Sequence, residues 1–202
     1  MPSIESPQRL SGPERKRRRL LDAAAESFAQ LGYAKTTVEE IARAAGVSKG
    51  LLYVHFDGKE QLLEVVLERT LRHWGETTRL EVARQSTARA ALESMHTSSF
   101  AYASANPLLR RILVQDALLI RSLVAEVTRE SLDEWLQDVR DLFDQGVDKG
   151  EFRSDLDLDA AVQSYALLHI SFLDRLNGWE EIGSDPSLVT VAMGFLLDGM
   201  RP

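Results

Sequence analysis

An all-α fold is what this sequence predicts, on three observations. Apolar residues recur at three- and four-residue spacing in segment after segment. Thr36 and Thr37 each stand three places before a carboxylate at the start of such a segment, and from about Glu76 onward no convincing strand interrupts the pattern. The expected organisation is a flexible arm over residues 1–13, a helix-turn-helix unit over 14–60 and a larger helical unit over 61–202.

The arm is expected because residues 1–13 hold three Pro, one Gly and four Ser or Gln among few apolar residues. The first helix should begin at Glu14 or Arg15, since Leu20, Leu21, Ala24, Phe28 and Leu31 then share one face, and Gly32 ends it. That start puts Arg18 and Arg19 in the first turns, where cations oppose the helix dipole. Such a local cost makes sense if an outside partner supplies negative charge. The second helix opens at TTVEE, where either Thr36 with Glu39 or Thr37 with Glu40 completes a capping box. Val38, Ile41, Ala42 and Ala45 form its buried stripe, and Gly46 supplies the turn that follows. A third, short helix from about Ser48 to Val54 turns Val47, Leu51 and Leu52 inward, which completes a helix, a Gly-containing turn and a helix.

Asp57 is then placed to cap a long helix in which Leu62, Leu63, Val66, Leu67, Leu71 and Trp74 recur. An amphipathic helix closes near Asn106, and Pro107 opens the next at a position where its missing N–H costs nothing. Val124, Val127, Trp135, Val139, Phe143 and Val147 mark another long helix ending around Lys149 and Gly150. A link capped by Asp157 or Asp159 leads to two final helices, roughly Ala160–Leu176 and Ser187–Met200, separated by NGWEEIGSDP. Both are more apolar than a lone surface layer needs, which fits a central position or cover by a second subunit.

With 202 residues and 44% apolar content, the chain suits one substantial core or a small domain fused to a larger one. The absence of Cys excludes disulfides, thiolate nucleophiles and cysteine-ligated metals. No apolar run approaches the roughly 20 residues that a membrane span needs. No secretory signal follows Met1, so a cytoplasmic protein without a membrane partner is expected. His55, His73, His96 and His169 are scattered and form no HExxH, and neither a Gly-rich phosphate loop nor a GxSxG elbow occurs. No catalytic residue, metal ligand or cofactor is therefore nominated. The net charge is −7, but it is unevenly spread: residues 1–60 carry 10 Lys/Arg against 8 Asp/Glu, the remainder 14 against 23. Arg15 to Arg19, reading RKRRR, concentrate the positive end, which would attract a polyanion that the rest repels.

A helix pair of this kind can lay its second member in the major groove of B-DNA while the first crosses the backbone. Ser48 and Lys49 stand at the start of the second helix, Gly50 removes a side chain that would hold the duplex away, and Tyr53 lies on a neighbouring face. Lys49 either reads guanine O6 and N7 or pairs with a phosphate, and both roles stay open. Thr36 or Thr37 can donate to phosphate from the crossing helix, and Lys59 can do so from the start of the long one. Each has a plainer reading as well: the threonines as caps, Tyr53 as a core aromatic, and His55 as a partner for a nearby backbone group.

Residues about 15 to 68 resemble the N-terminal domain of the TetR/AcrR family of bacterial transcriptional regulators, in the spacing AAAESFAQLGYAKTTVEEIARAAGVSKGLLYVHFDGKEQLLEVVL. The resemblance implies nine or so helices, a homodimer joined by the last two long helices, and palindromic double-stranded operator DNA. It also implies a small-molecule effector, of unknown identity, bound in the C-terminal domain to relieve repression. By the resemblance, residues matching Tyr53, Lys59 and the TTV cap touch phosphates, and those matching Ser48, Lys49 and Gly50 lie at or near base edges. Arg18, Arg19, Thr36, Thr37, Ser48, Lys49, Gly50, Tyr53, His55 and Lys59 are thus the candidates for DNA contact. Val54 departs from the family, which more commonly has Tyr, Trp, His or Arg there, so no contact is carried over to it. Gly58 also departs, a residue of little helix preference at the entry to the long helix.

For the effector, His96, Phe100, Trp135, Phe143, Tyr165, His169 and Phe172 are the candidate lining residues. Ring surfaces beside imidazoles suit an organic molecule with a few polar atoms, and His169 leads as an ionisable group on an otherwise apolar helical face. Rings at helical spacing are also ordinary core. The alternatives to a ligand-responsive repressor are an effector-independent DNA-bound architectural or protein-interaction dimer, and an activator.

Overall fold

The computed structural model describes residues 11–114, 121–175 and 186–202, and among these every regular element is a helix. The chain divides into two compact units, Met1–Val66 and Leu67–Pro202.

The first unit holds α1 (Gly12–Leu31), α2 (Val38–Ala44), α3 (Lys49–His55) and the beginning of α4 (Lys59–Val82). The first helix starts ahead of the expected Glu14 because Ser11 caps it. The Ser11 hydroxyl accepts from the Glu14 N–H at 3.3 Å, and the Glu14 carboxylate accepts from the Ser11 N–H at 2.7 Å. Pro13 falls at a position that needs no N–H donor. The expected arm therefore gives up its last residues to α1, and residues 1–10 lie outside the described residues. With this start Arg18 and Arg19 sit beyond the first turn, to which the dipole effect is confined, so the local cost expected from the sequence disappears. Gly32 ends α1 at φ 80°, a left-handed conformation that favours glycine. Leu20, Ala24, Phe28, Ile41 and Leu52 are wholly buried and bind the three helices together.

The second unit holds the rest of α4 with α5 (Ala88–Ala105), α6 (Pro107–Val114), α7 (Arg121–Asp148), α8 (Leu158–Arg175) and α9 (Pro186–Asp198). α5 packs against α6, α7, α8 and α9, and α8 lies between α7 and α9. Leu92, Met95, Val139, Phe143, Phe152, Tyr165, Met193 and Leu197 are the centre of the core. Local chemistry sets the boundaries. Asn106 Oδ1 accepts from the N–H groups of Leu108 and Leu109 where Pro107 opens α6. Asp157 caps α8 by accepting from the Ala160 N–H at 3.1 Å, whereas Asp159 pairs with Arg140. Gly146, inside α7, has the Phe152 ring lying where a side chain would begin: a Cβ there would come within 2.3 Å of it.

Ion pairs tie elements of this unit: Arg79 of α4 reaches Glu134 at 3.0 Å and Asp138 at 2.8 Å on α7, and Arg89 of α5 reaches Asp198 at the end of α9 at 2.8 Å. No described helix is long and apolar enough to cross a membrane. Leu176 and most of NGWEEIGSDP fall outside the described residues. On the outer faces of α8 and α9, Leu167, Ile170, Val191 and Phe195 are exposed, Leu167 at 69% and Phe195 at 74%.

Candidate functional site

The helix-turn-helix is built by local rules. Thr37, not Thr36, caps α2: its hydroxyl accepts from the Glu40 N–H at 3.2 Å, and Glu40 accepts from the Thr37 N–H at 2.9 Å. Thr36 requires a correction as a DNA-contact candidate. It is buried, and its hydroxyl donates to the Gly32 carbonyl at 2.7 Å, with Ser27 O also close at 3.2 Å, so it is not available to a phosphate. Gly46 turns the chain at φ 64°, and the Arg19 guanidinium lies beside it, 2.5 Å from where a Cβ would stand. Ser48 caps α3 by accepting from the Leu51 N–H at 3.2 Å.

With Leu52 turned into the core, α3 presents Lys49, Gly50, Tyr53 and Val54 to solvent. Lys49 forms an ion pair with Glu39 of α2, and its ammonium lies 5.8 Å from the centre of the Tyr53 ring. The partnership holds the Glu39 carboxyl below its usual range and raises the lysine. Arg18 and Arg19 are exposed, with Arg18 3.9 Å from Asp22. His55 is half-buried beside Phe56. Lys59 donates to the Tyr33 carbonyl at 2.7 Å and lies 4.2 Å above the Tyr33 ring. The sequence suggested Glu39 as a capping partner of Thr36; its pairing with Lys49 across the turn is the feature that was missed, although the opposite charges were visible. Val54, to which no contact was carried over from the family, is at 75% exposure an apolar group on the outer face of α3.

Gly50 is exposed on α3. A Cβ there would meet open space, so packing does not require glycine. We expect Gly50→Ala to stabilise the protein by about 0.5–1 kcal/mol, since glycine is a poor helix residue. The same methyl stands on the outer face of α3 and should weaken binding to duplex DNA. Chemical melts and fluorescence anisotropy on one preparation check both, and unchanged binding would remove Gly50 from the interface.

In the second unit, five of the seven effector candidates come together. His96 Nδ1 of α5 meets His169 Nδ1 of α8 at 3.0 Å, so one imidazole donates and the other accepts. The His169 ring packs on Trp135 of α7, centroids 4.8 Å apart, and stacks on Tyr165 at 6.0 Å. Phe143 meets Tyr165 edge-on. The Tyr165 hydroxyl donates to the Leu92 carbonyl at 2.8 Å, and burial raises its pKa. Burial pushes His96 down to about 4, and burial with the neighbouring His96 pushes His169 down to about 3, so both are neutral at pH 7. Trp135 Nε1 has no hydrogen-bond partner among the described residues. Phe100 is half-buried one turn further along α5, and the side chain of Phe172 lies outside the described residues.

A model of the bacterial regulatory proteins of the tetR family matches residues 20–66. The HTH-type transcriptional repressor KstR2 of Rhodococcus jostii (strain RHA1) is 34% identical over 197 residues, covering 94% of this chain and 93% of that one. A solved TetR-family regulator from Cytophaga hutchinsonii superposes with a TM-score of 0.78 at 20% identity, covering 96% of this chain and 98% of the other. The transcriptional regulator FadR from Bacillus subtilis, in complex with stearoyl-CoA, superposes with a TM-score of 0.71 at 22% identity, covering 92% and 100%. These structural likenesses establish the fold.

Proposed function

The chain belongs to the tetR family of bacterial regulatory proteins, and on that premise we propose that it is a transcriptional repressor that binds a palindromic operator as a homodimer and is released by a small organic effector. The observation that carries the DNA reading is the outer face of α3. Behind a left-handed Gly46 turn it offers a lysine, a glycine with open space above it, a tyrosine and a valine, the residue types that approach base edges and thymine methyl groups. Thr37, Ser48, Tyr53, Arg18 and Arg19 are the exposed candidates around it.

The dimer reading is supported by Leu167, Ile170, Val191 and Phe195, a solvent-facing apolar stripe on the last two helices. Two heads are physically needed, because one recognition helix makes few base contacts and each good one discriminates by only about 1–3 kcal/mol. For the effector, the support is the aromatic cluster around the His96 and His169 pair. Ring walls with a few hydrogen-bonding atoms suit a mostly apolar molecule, a class to which an acyl chain belongs. Release follows if the effector prefers the arrangement with wrongly spaced heads; moving from 99% to 1% competent takes about 5.5 kcal/mol of such preference.

The close packing of Phe143, Tyr165 and Val139, all wholly buried, favours the second reading, a DNA-bound dimer without an effector. Calorimetry against apolar organic ligands separates the two. The DNA reading is tested by anisotropy with the region upstream of the protein's own gene and with duplexes selected from a random library. Salt-sensitive, sequence-selective binding is expected, and its absence in both sets removes the proposal.

A further inference from the structure

The first turn of α2 carries two carboxylates with different occupations. Glu40 is committed to the fold, accepting from the Thr37 N–H at 2.9 Å and the Thr37 hydroxyl at 2.8 Å. Glu39 instead reaches across the turn to the ammonium of Lys49, the first residue of α3. Both side chains of this pair are more than half exposed, and exposed ion pairs contribute little to stability. The fold therefore has little need of Glu39. A surface that meets a polyanion lowers its own affinity by carrying a carboxylate beside the recognition helix.

Lys49 is thus held from two sides, by Glu39 and by the Tyr53 ring, next to the open space above Gly50. A lysine on a free four-carbon stem pairs with any phosphate in reach, whatever the sequence. A lysine already paired gains little by exchanging one anion for another, whereas its three N–H donors let it keep the carboxylate while donating to guanine O6 and N7 in the groove.

We propose that Glu39 is a positioning residue for sequence selectivity: its carboxylate holds Lys49 off the phosphates, so that Lys49 donates to DNA only where base acceptors are presented. This inference rests on the DNA-binding reading given above. It is tested with a duplex selected from a random library by the wild-type protein and with a shuffled duplex of equal length. Both are titrated across a salt series against wild type, Glu39→Gln, Lys49→Met and the double variant, with melting temperatures alongside.

Glu39→Gln should bind the shuffled duplex about tenfold more tightly, with a salt slope steeper by about 0.9, the signature of one added phosphate contact. Its preference for the selected duplex should fall, its melting temperature should hardly move, and the gain should vanish in the Lys49→Met background. An unchanged preference and slope overturns the inference. So does a gain that persists undiminished without Lys49, which would reflect only the removed charge. If the wild type itself shows no salt-sensitive, selective binding, the DNA reading and this inference fall together; if it does and Glu39→Gln changes nothing, this inference alone falls.

Discussion

Phe195→Glu should convert the protein from a dimer to a monomer, lowering the mass in solution from twice the 22.6 kDa of one chain to once that value. Phe195 is 74% exposed on α9, one turn after Val191, and Leu167 and Ile170 are exposed on α8. Because the ring touches water in the isolated chain, a carboxylate there costs the protomer little. In a two-fold interface the change counts twice, and each ring loses about 1.5–3 kcal/mol of burial before the penalty for burying a charge is added. The dissociation constant should rise by several orders of magnitude, and affinity for a two-half-site duplex should fall by at least about a hundredfold as the second head becomes a separate binding event. Light scattering and anisotropy at one concentration read both. A variant that keeps the doubled mass and binds DNA as before would show that these helices do not join the protomers.

The second large effect is acid sensitivity. The folded values of His96 and His169, about 4 and about 3, lie below the 6.5 of an ordinary imidazole. Between these limits the unfolded chain binds more protons, so stability is fully present above pH 6.5 and falls as the pH drops. From pH 6.5 to pH 5, a range in which ordinary carboxylates stay largely ionised, the loss should be about 2 kcal/mol for each imidazole. Urea melts at the two pH values measure it. Replacing both residues, as His96→Leu with His169→Leu, removes the pair without stranding one partner and should flatten the profile. A flat wild-type profile, or a slope that survives the double replacement, would mean that the imidazoles are not held neutral by burial.

The sequence was most informative where structure is local. Gly46, the start of the short helix at Ser48 and the buried Leu52 were legible because a turn and a short helix are decided within a few residues, although the capping role of Ser48 was not read. TTVEE offered two overlapping capping frames, and no local rule separates them. The choice is made just past the end of α1, where the Gly32 carbonyl takes the Thr36 hydroxyl and leaves Thr37 to cap. The Ser11 and Glu14 box at the start of α1 was equally local, yet the Pro, Gly and Ser around it read as an arm; a capping box outweighs composition there. His169 stood out as an ionisable residue on an apolar face. Its pairing with His96 joins positions far apart in the chain and became visible only when α5 met α8. Lys59 illustrates the same limit: its position at the head of α4 could be read, but its hold on Tyr33 belongs to the folded unit.

The boundary between the two compact units falls between Val66 and Leu67, inside α4, and both residues are buried. A protease seeking an exposed loop there meets continuous helix instead. One residue too many or too few there would shift the phase of the α4 helix by about 100° and turn its buried residues off their own face.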